Sequence, residues 1–195
     1  GKRLRALTTD AHRVLALEFP DATVPVGPRE MVVLAVPPWA AKDLVPDLIV
    51  PDEFRAIVNA HFRYAPPQGT PPSRGGGVGT AEWIFSFEER ISVTVSGADA
   101  IADRDREELA RLFWQDICQA LRLTADMPRW QVVKEKRATF AATPGQDMKR
   151  PPAKTAWRNL ALAGDWIDNG LPATLEGAVR SGEAAASLAL KRLAL

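Results

Sequence analysis

The sequence predicts a mixed fold, α+β through its middle and α/β at its end, on three observations. Short apolar runs broken by Asp, Pro and Gly fill the first forty residues. Alternating runs and one amphipathic helix come next, and an apolar strand, a polar turn and a helix close the chain. With 195 residues, 46% of them hydrophobic and 25% charged, the chain can bury a core in one large domain or two small lobes.

Residues 3–8, 13–19 and 31–36 read as the strands of a β-meander, because each is an apolar or alternating run bounded by turn formers. Pro37 and Pro38 stop the third run, since proline cannot donate to a ladder, and residues 40–44 suit one helical turn.

The middle carries four further strand patterns, at residues 57–63, 82–87, 90–96 and 131–140, that suit an antiparallel sheet. Alternation puts Ile91, Val93 and Val95 on one face. Asp105 and Glu108 match a capping box, and Leu109, Leu112, Phe113, Ile117, Ala120 and Leu121 follow at helical spacing. This predicts a helix of about five turns that covers the sheet and ends by Met127 and Pro128. The glycine-rich stretch 74–80 lies behind two proline pairs instead of a buried strand, and Thr80 takes the place of the third glycine of a phosphate-binding turn. It reads as a flexible surface loop.

At the end of the chain, the apolar run 160–163 stops at Gly164 and Asp165. Pro172, which has no N–H and so suits a first helical turn, opens a helical pattern that reaches about Leu193. A first turn leaves backbone N–H groups unpaired and carries partial positive charge, so residues 172–175 would offer donors to an electron-rich ligand. Asp165, at the carboxyl end of the strand, could accept hydrogen bonds from sugar or ribityl hydroxyls. Gly177 and Gly182 would let a neighbouring backbone come close. An ordinary strand and helix with a loop aspartate and two packing glycines fits the same pattern, and spacing alone does not choose between them.

Several function classes are disfavoured. A formal charge of +1 with dispersed basic residues gives no field for nucleic acid. The single cysteine, Cys118, excludes an internal disulfide and suits packing. His12 and His61 lie too far apart in sequence, with no matching cysteines, for a metal site. His61 alternates with Asn59 and Arg63 on one strand face, as a solvent-facing or structurally bonded residue or as a cavity-facing general acid. The acidic and basic cluster 103–108 reads as a solvated helix entrance. The six tryptophans read mainly as core, with Trp83 and Trp166 as candidates to border an apolar tunnel. No run approaches a membrane span of about 18 apolar residues. A cytoplasmic location is expected, with an oily substrate able to draw the protein to a membrane surface.

Leu162-Ala-Gly-Asp-Trp166 followed by Gly170-Leu-Pro-Ala-Thr-Leu-Glu-Gly-Ala-Val-Arg-Ser-Gly182 closely resembles the carboxyl-terminal flavin motif of the FAD-dependent amine oxidase and phytoene desaturase superfamily. The likeness is greatest to its squalene-associated branch, the hydroxysqualene dehydroxylases of hopanoid biosynthesis. Segments 32–40, 54–63, 91–98 and 134–144 match as well, so the resemblance spans nearly the whole chain.

That resemblance implies a partial amine-oxidase-like fold. Residues 1–50 would be the meander portion of the FAD domain, residues 51–145 a substrate-domain segment, and residues 146–195 the closing strand and helix of the FAD domain. It implies FAD contacts at Gly164, Asp165, Trp166, Leu171, Pro172, Ala173, Thr174 and Leu175, and a long apolar isoprenoid substrate. The implied reaction is reductive removal of a hydroxyl from hydroxysqualene, the runner-up being a phytoene-type desaturation. No catalytic side chain can be named. Where relatives often read Asp-Trp-Thr-x-Thr-Gly, this chain has Ile167 and Asn169, which puts the polar contacts of those positions in question. Nothing from Gly1 onward fits the Gly-x-Gly-x-x-Gly turn that opens such enzymes, so the chain reads as the carboxyl-terminal part of a longer one, with the amino-terminal dinucleotide-binding βαβ absent. A different reading takes it as a folded interaction module that is inert without that half.

Overall fold

The computed structural model describes residues 1–193. The chain forms two compact units, one from residues 1–53 and 140–195 and the other from residues 54–139.

The first unit holds β1 (Ala6–Thr9), β2 (Val14–Phe19), β3 (Ala22–Pro25), β4 (Val32–Leu34) and α1 (Pro38–Leu44). The chain enters the second unit through β5 (Phe54–Phe62), β6 (Ser73–Val78), β7 (Ala81–Phe87), β8 (Arg90–Ser96), α2 (Arg106–Leu121) and β9 (Trp130–Phe140). It returns through α3 (Pro144–Asp147), β10 (Leu160–Leu162) and α4 (Leu175–Leu193).

In the first unit β1, β2 and β3 make an antiparallel meander. The Asp10 carboxylate accepts the amides of His12 (2.7 Å) and Arg13 (2.6 Å), closing the first turn, and these bonds hold its pKa below the usual carboxylate value. The third meander strand corrects the sequence reading. It is the short β3, set opposite β2 by a turn at Pro20 and Asp21, and not the run 31–36. That run gives β4, which pairs in parallel with β10 in a separate sheet. All three residues of β10 are buried, as suits a parallel strand covered on both faces, while β4 buries Val32 and Leu34 and leaves Val33 exposed. Buried Asn159 ties this pair to the meander: its Oδ1 accepts the Val14 amide (2.8 Å) and its Nδ2 donates to the Val14 carbonyl (2.9 Å).

The second unit is a sheet of order β6-β7-β8-β5-β9 packed on α2. The helix starts where its sequence cap predicts. Asp105 accepts the amides of Glu107 (2.8 Å) and Glu108 (3.2 Å), and Leu109, Phe113 and Ile117 are fully buried against Val58, Ala60, Phe62, Ile91 and Val93. It ends earlier than expected, at Leu121, because Arg122 turns into the left-handed region (φ 54°).

The stretch read as a surface loop is largely strand β6. Gly75 sits opposite Trp83, and a Cβ there would come within 2.5 Å of the indole, so the aromatic ring supplies the packing that a glycine cannot. The hairpin turns at Gly79 (φ 65°), where buried Asp116 of α2 accepts the amides of Thr80 and Ala81 at 2.8 and 2.9 Å. Half-buried Cys118 packs under the loop after α2, and burial pushes its thiol pKa up. Among the described residues no helix is long and apolar enough to cross a membrane, and no cluster of His, Cys, Asp or Glu is placed to hold a metal ion.

Candidate functional site

The corner between β10 and α4 is built on a glycine. Gly164 adopts φ 154°, and a Cβ there would lie 2.4 Å from Nε1 and 2.7 Å from Cδ1 of Trp166. The Trp166 ring therefore folds back over Gly164 into the core, 2% exposed, and donates Nε1–H to the Val36 carbonyl at 2.9 Å. From the other side, buried Ser181 of α4 accepts the Gly164 amide (2.8 Å) and donates to the Ala178 carbonyl (2.8 Å). Small residues let α4 come this close, with Ala185 fully buried against Ala161 and Ala163.

These bonds leave Asp165 half-buried at the carboxyl end of β10. Burial pushes its carboxyl above the usual value near 3.8. Its own amide, the Trp166 amide and the positive charge of Arg150 oppose that rise without cancelling it.

Helix α4 begins at Leu175, three residues later than the proline signal suggests, because Thr174 is its cap. The Thr174 hydroxyl accepts the Gly177 amide (3.0 Å), and the Thr174 carbonyl accepts the Ala178 amide (3.0 Å). Pro172 and Ala173 thus belong to the loop. Gly177 is needed for closeness, since a Cβ there would sit 2.9 Å from the Pro172 carbonyl oxygen. The Leu175 side chain is 89% exposed at the start of the helix.

Of the predicted set, Asp165 and Ala173 are half-buried, Thr174 and Leu175 are exposed, and Trp166 is buried in the core. The Leu171 amide donates to Asn169 Oδ1 at 3.0 Å. Asn169 also donates to the Gly177 carbonyl (2.7 Å), so its side chain makes polar contacts within the loop and with the start of α4.

Sequence reasoning did not find Arg150. Its side chain is 5% exposed and its Nη2 reaches the Ile167 carbonyl (2.5 Å), Asn169 Oδ1 (3.3 Å) and the Asp165 carbonyl (3.4 Å). Nη1 pairs with Asp147 at 3.1 Å, and the guanidinium lies 5.1 Å from the Phe140 ring centre. It clamps the loop that presents Asp165, while its buried Nε has no hydrogen-bond partner. The only local signal was an arginine held extended before Pro151 and Pro152.

Residues 1–190 match the family described as flavin containing amine oxidoreductase. The chain is 54% identical over 191 residues to a hydroxysqualene dehydroxylase from Rhodopseudomonas palustris, covering 97% of this chain and 46% of that protein. It is 35% identical over 103 residues, 52% of its length, to a chloroplastic/chromoplastic 15-cis-phytoene desaturase from Solanum lycopersicum, covering 17% of that protein. The solved structure of an oxidoreductase from Methanosarcina mazei superposes with a TM-score of 0.69 at 9% identity, covering 96% of this chain and 49% of that one. The chain thus spans about half the length of the hydroxysqualene dehydroxylase it matches.

Proposed function

Because this chain belongs to the flavin containing amine oxidoreductases, we propose that it is the carboxyl-terminal part of a FAD-dependent enzyme that reductively removes the hydroxyl of hydroxysqualene. The substrate rests on the likeness to a hydroxysqualene dehydroxylase along nearly the whole chain. In this reading the unit of residues 1–53 and 140–195 is the chain's share of the FAD domain, and residues 54–139 are the substrate-domain segment.

The observation that carries the cofactor assignment is Asp165, a half-buried carboxylate just past the carboxyl end of a parallel strand, in the loop that leads to α4. The fit is chemical: the carboxylate accepts from ribityl hydroxyls, and the backbone before α4 offers amides to the electron-rich edge of the ring. Reduced FAD would supply the hydride that replaces the hydroxyl. The residues of this chain would orient the cofactor, with Gly164, Trp166, Ser181 and Arg150 fixing where Asp165 stands.

The rest of the enzyme would supply the dinucleotide-binding βαβ. Two surfaces suit such a neighbour. β4 is an edge strand with Val33 43% exposed, and α4 shows Leu175, Val179 and Leu190 at 89%, 58% and 70% exposure. The chain by itself would hold one side of the flavin, and half a site binds weakly because its contacts must still offset the entropy of holding the ligand. The isolated chain is therefore expected to be colourless after desalting.

Product analysis of the full-length protein tests the reading. Squalene from hydroxysqualene under reducing conditions supports it; desaturation of phytoene instead moves the chain to the desaturases, and failure on both rejects the substrate class.

A further inference from the structure

The sheet of the second unit has a face that α2 does not cover. Along β5, Ala56, Val58, Ala60 and Phe62 enter the core with the helix, so alternation turns Asn59 and His61 to the opposite face. Strand register then builds two rows across that face. Trp83, Thr94 and Asn59 form one; Phe85, Ser92 and His61 form the other.

Each row runs from an aromatic ring to a bonded polar pair. The Trp83 and Phe85 rings stack 6.2 Å apart at 17°, and Gly75 leaves the space that the indole fills. Thr94 Oγ1 donates to Asn59 Oδ1 at 2.7 Å, and Ser92 Oγ lies 2.9 Å from His61 Nδ1. Trp83 is 43% exposed, whereas Ser92 is 5% exposed, so the polar pair is recessed beside an open aromatic shelf.

On the proposed hydroxysqualene reading, we infer that this face receives the substrate, with the His61 imidazole meeting its hydroxyl and Trp83 and Phe85 meeting its hydrocarbon. A recessed polar spot beside a stacked aromatic pair is complementary to a long hydrocarbon that carries one hydroxyl. With the Ser92 hydroxyl donating to Nδ1, the ring keeps its proton on Nε2 and can donate it to an alcohol oxygen. Burial and the nearby Arg90 charge both push the His61 pKa down, which favours the neutral ring that suits an uncharged alcohol. His61 is then a specificity residue: it tells the alcohol from the hydrocarbon product.

The test uses the FAD-loaded full-length protein, with flavin absorbance confirming that each variant is folded and loaded. KM and kcat for hydroxysqualene are measured beside the inhibition constant of squalene, which has the same chain without the hydroxyl. His61→Leu is expected to raise KM for the alcohol about tenfold, the worth of one good hydrogen bond, while squalene inhibition shifts by less than about twofold. His61→Gln, which restores a donor, recovers most of the loss, and Trp83→Ala weakens both ligands. An unchanged KM in His61→Leu, or equal losses for alcohol and hydrocarbon, overturns the inference while wild-type turnover leaves the proposed function standing. A wild-type protein that binds neither compound removes both.

Discussion

Gly164→Ala is the sharpest test of how the corner is built. The new methyl would start 2.4 Å from Nε1 of Trp166, a ring that is 2% exposed. Forcing extra volume into such packing costs about 1–3 kcal/mol. If the indole turns away, the Val36 carbonyl loses its 2.9 Å bond, and an unpaired buried acceptor costs about 1–3 kcal/mol more. A total of about 3 kcal/mol lowers the melting temperature of a chain this size by about 6–12 °C. Thermal unfolding followed by near-UV circular dichroism reads both effects, because Trp166 contributes to the native signal. An alanine variant with the wild-type melting temperature and aromatic spectrum would refute the reasoning, since the ring would then not depend on a bare backbone at position 164.

Two other outcomes follow from the same corner. Arg150→Met keeps the contact over Phe140 but loses the bonds to Ile167 and Asn169. It should destabilise the chain by about 2 kcal/mol, the cost of the unpaired Ile167 carbonyl, and flavin should leave the full-length variant faster on dialysis; equal retention would show that the clamp does not govern the site. Asp165 has a folded pKa raised above its unfolded value near 3.8, so between the two values the folded form holds a proton that the unfolded chain has released. Its contribution to stability is complete below that value and falls as pH rises through the folded pKa. Asp165→Asn should therefore melt above wild type at pH 7, with the gap narrowing towards pH 4; a gap independent of pH would contradict the assignment.

What was legible in the sequence is what one chemical pattern dictates locally. β8 falls on its expected residues because Ile91, Val93 and Val95 alternate with polar neighbours, and α2 begins where Asp105 can cap it. β6 was illegible because its glycines carry no alternation, and the ring that covers Gly75 comes from Trp83 on the next strand. β4 was assigned to the wrong sheet because its partner, β10, lies more than a hundred residues away and no local signal names it. At the site, the motif pointed to the junction between the last strand and the last helix, where the structure forms β10, a loop carrying Gly164 and Asp165, and α4. Trp166 is buried there, its ring lying in the space that Gly164 leaves by having no Cβ, a packing that no local pattern names. Arg150 carries no motif; it matters only because the fold returns residues 165–169 to it.

The cofactor assignment is tested most directly by flavin retention in the full-length protein. Wild type and Asp165→Ala, purified in parallel and desalted, should differ in absorbance near the flavin band, with the variant losing most of its yellow colour while keeping its fold by circular dichroism. A variant that holds FAD as tightly as wild type would contradict the claim that this carboxylate grips the cofactor.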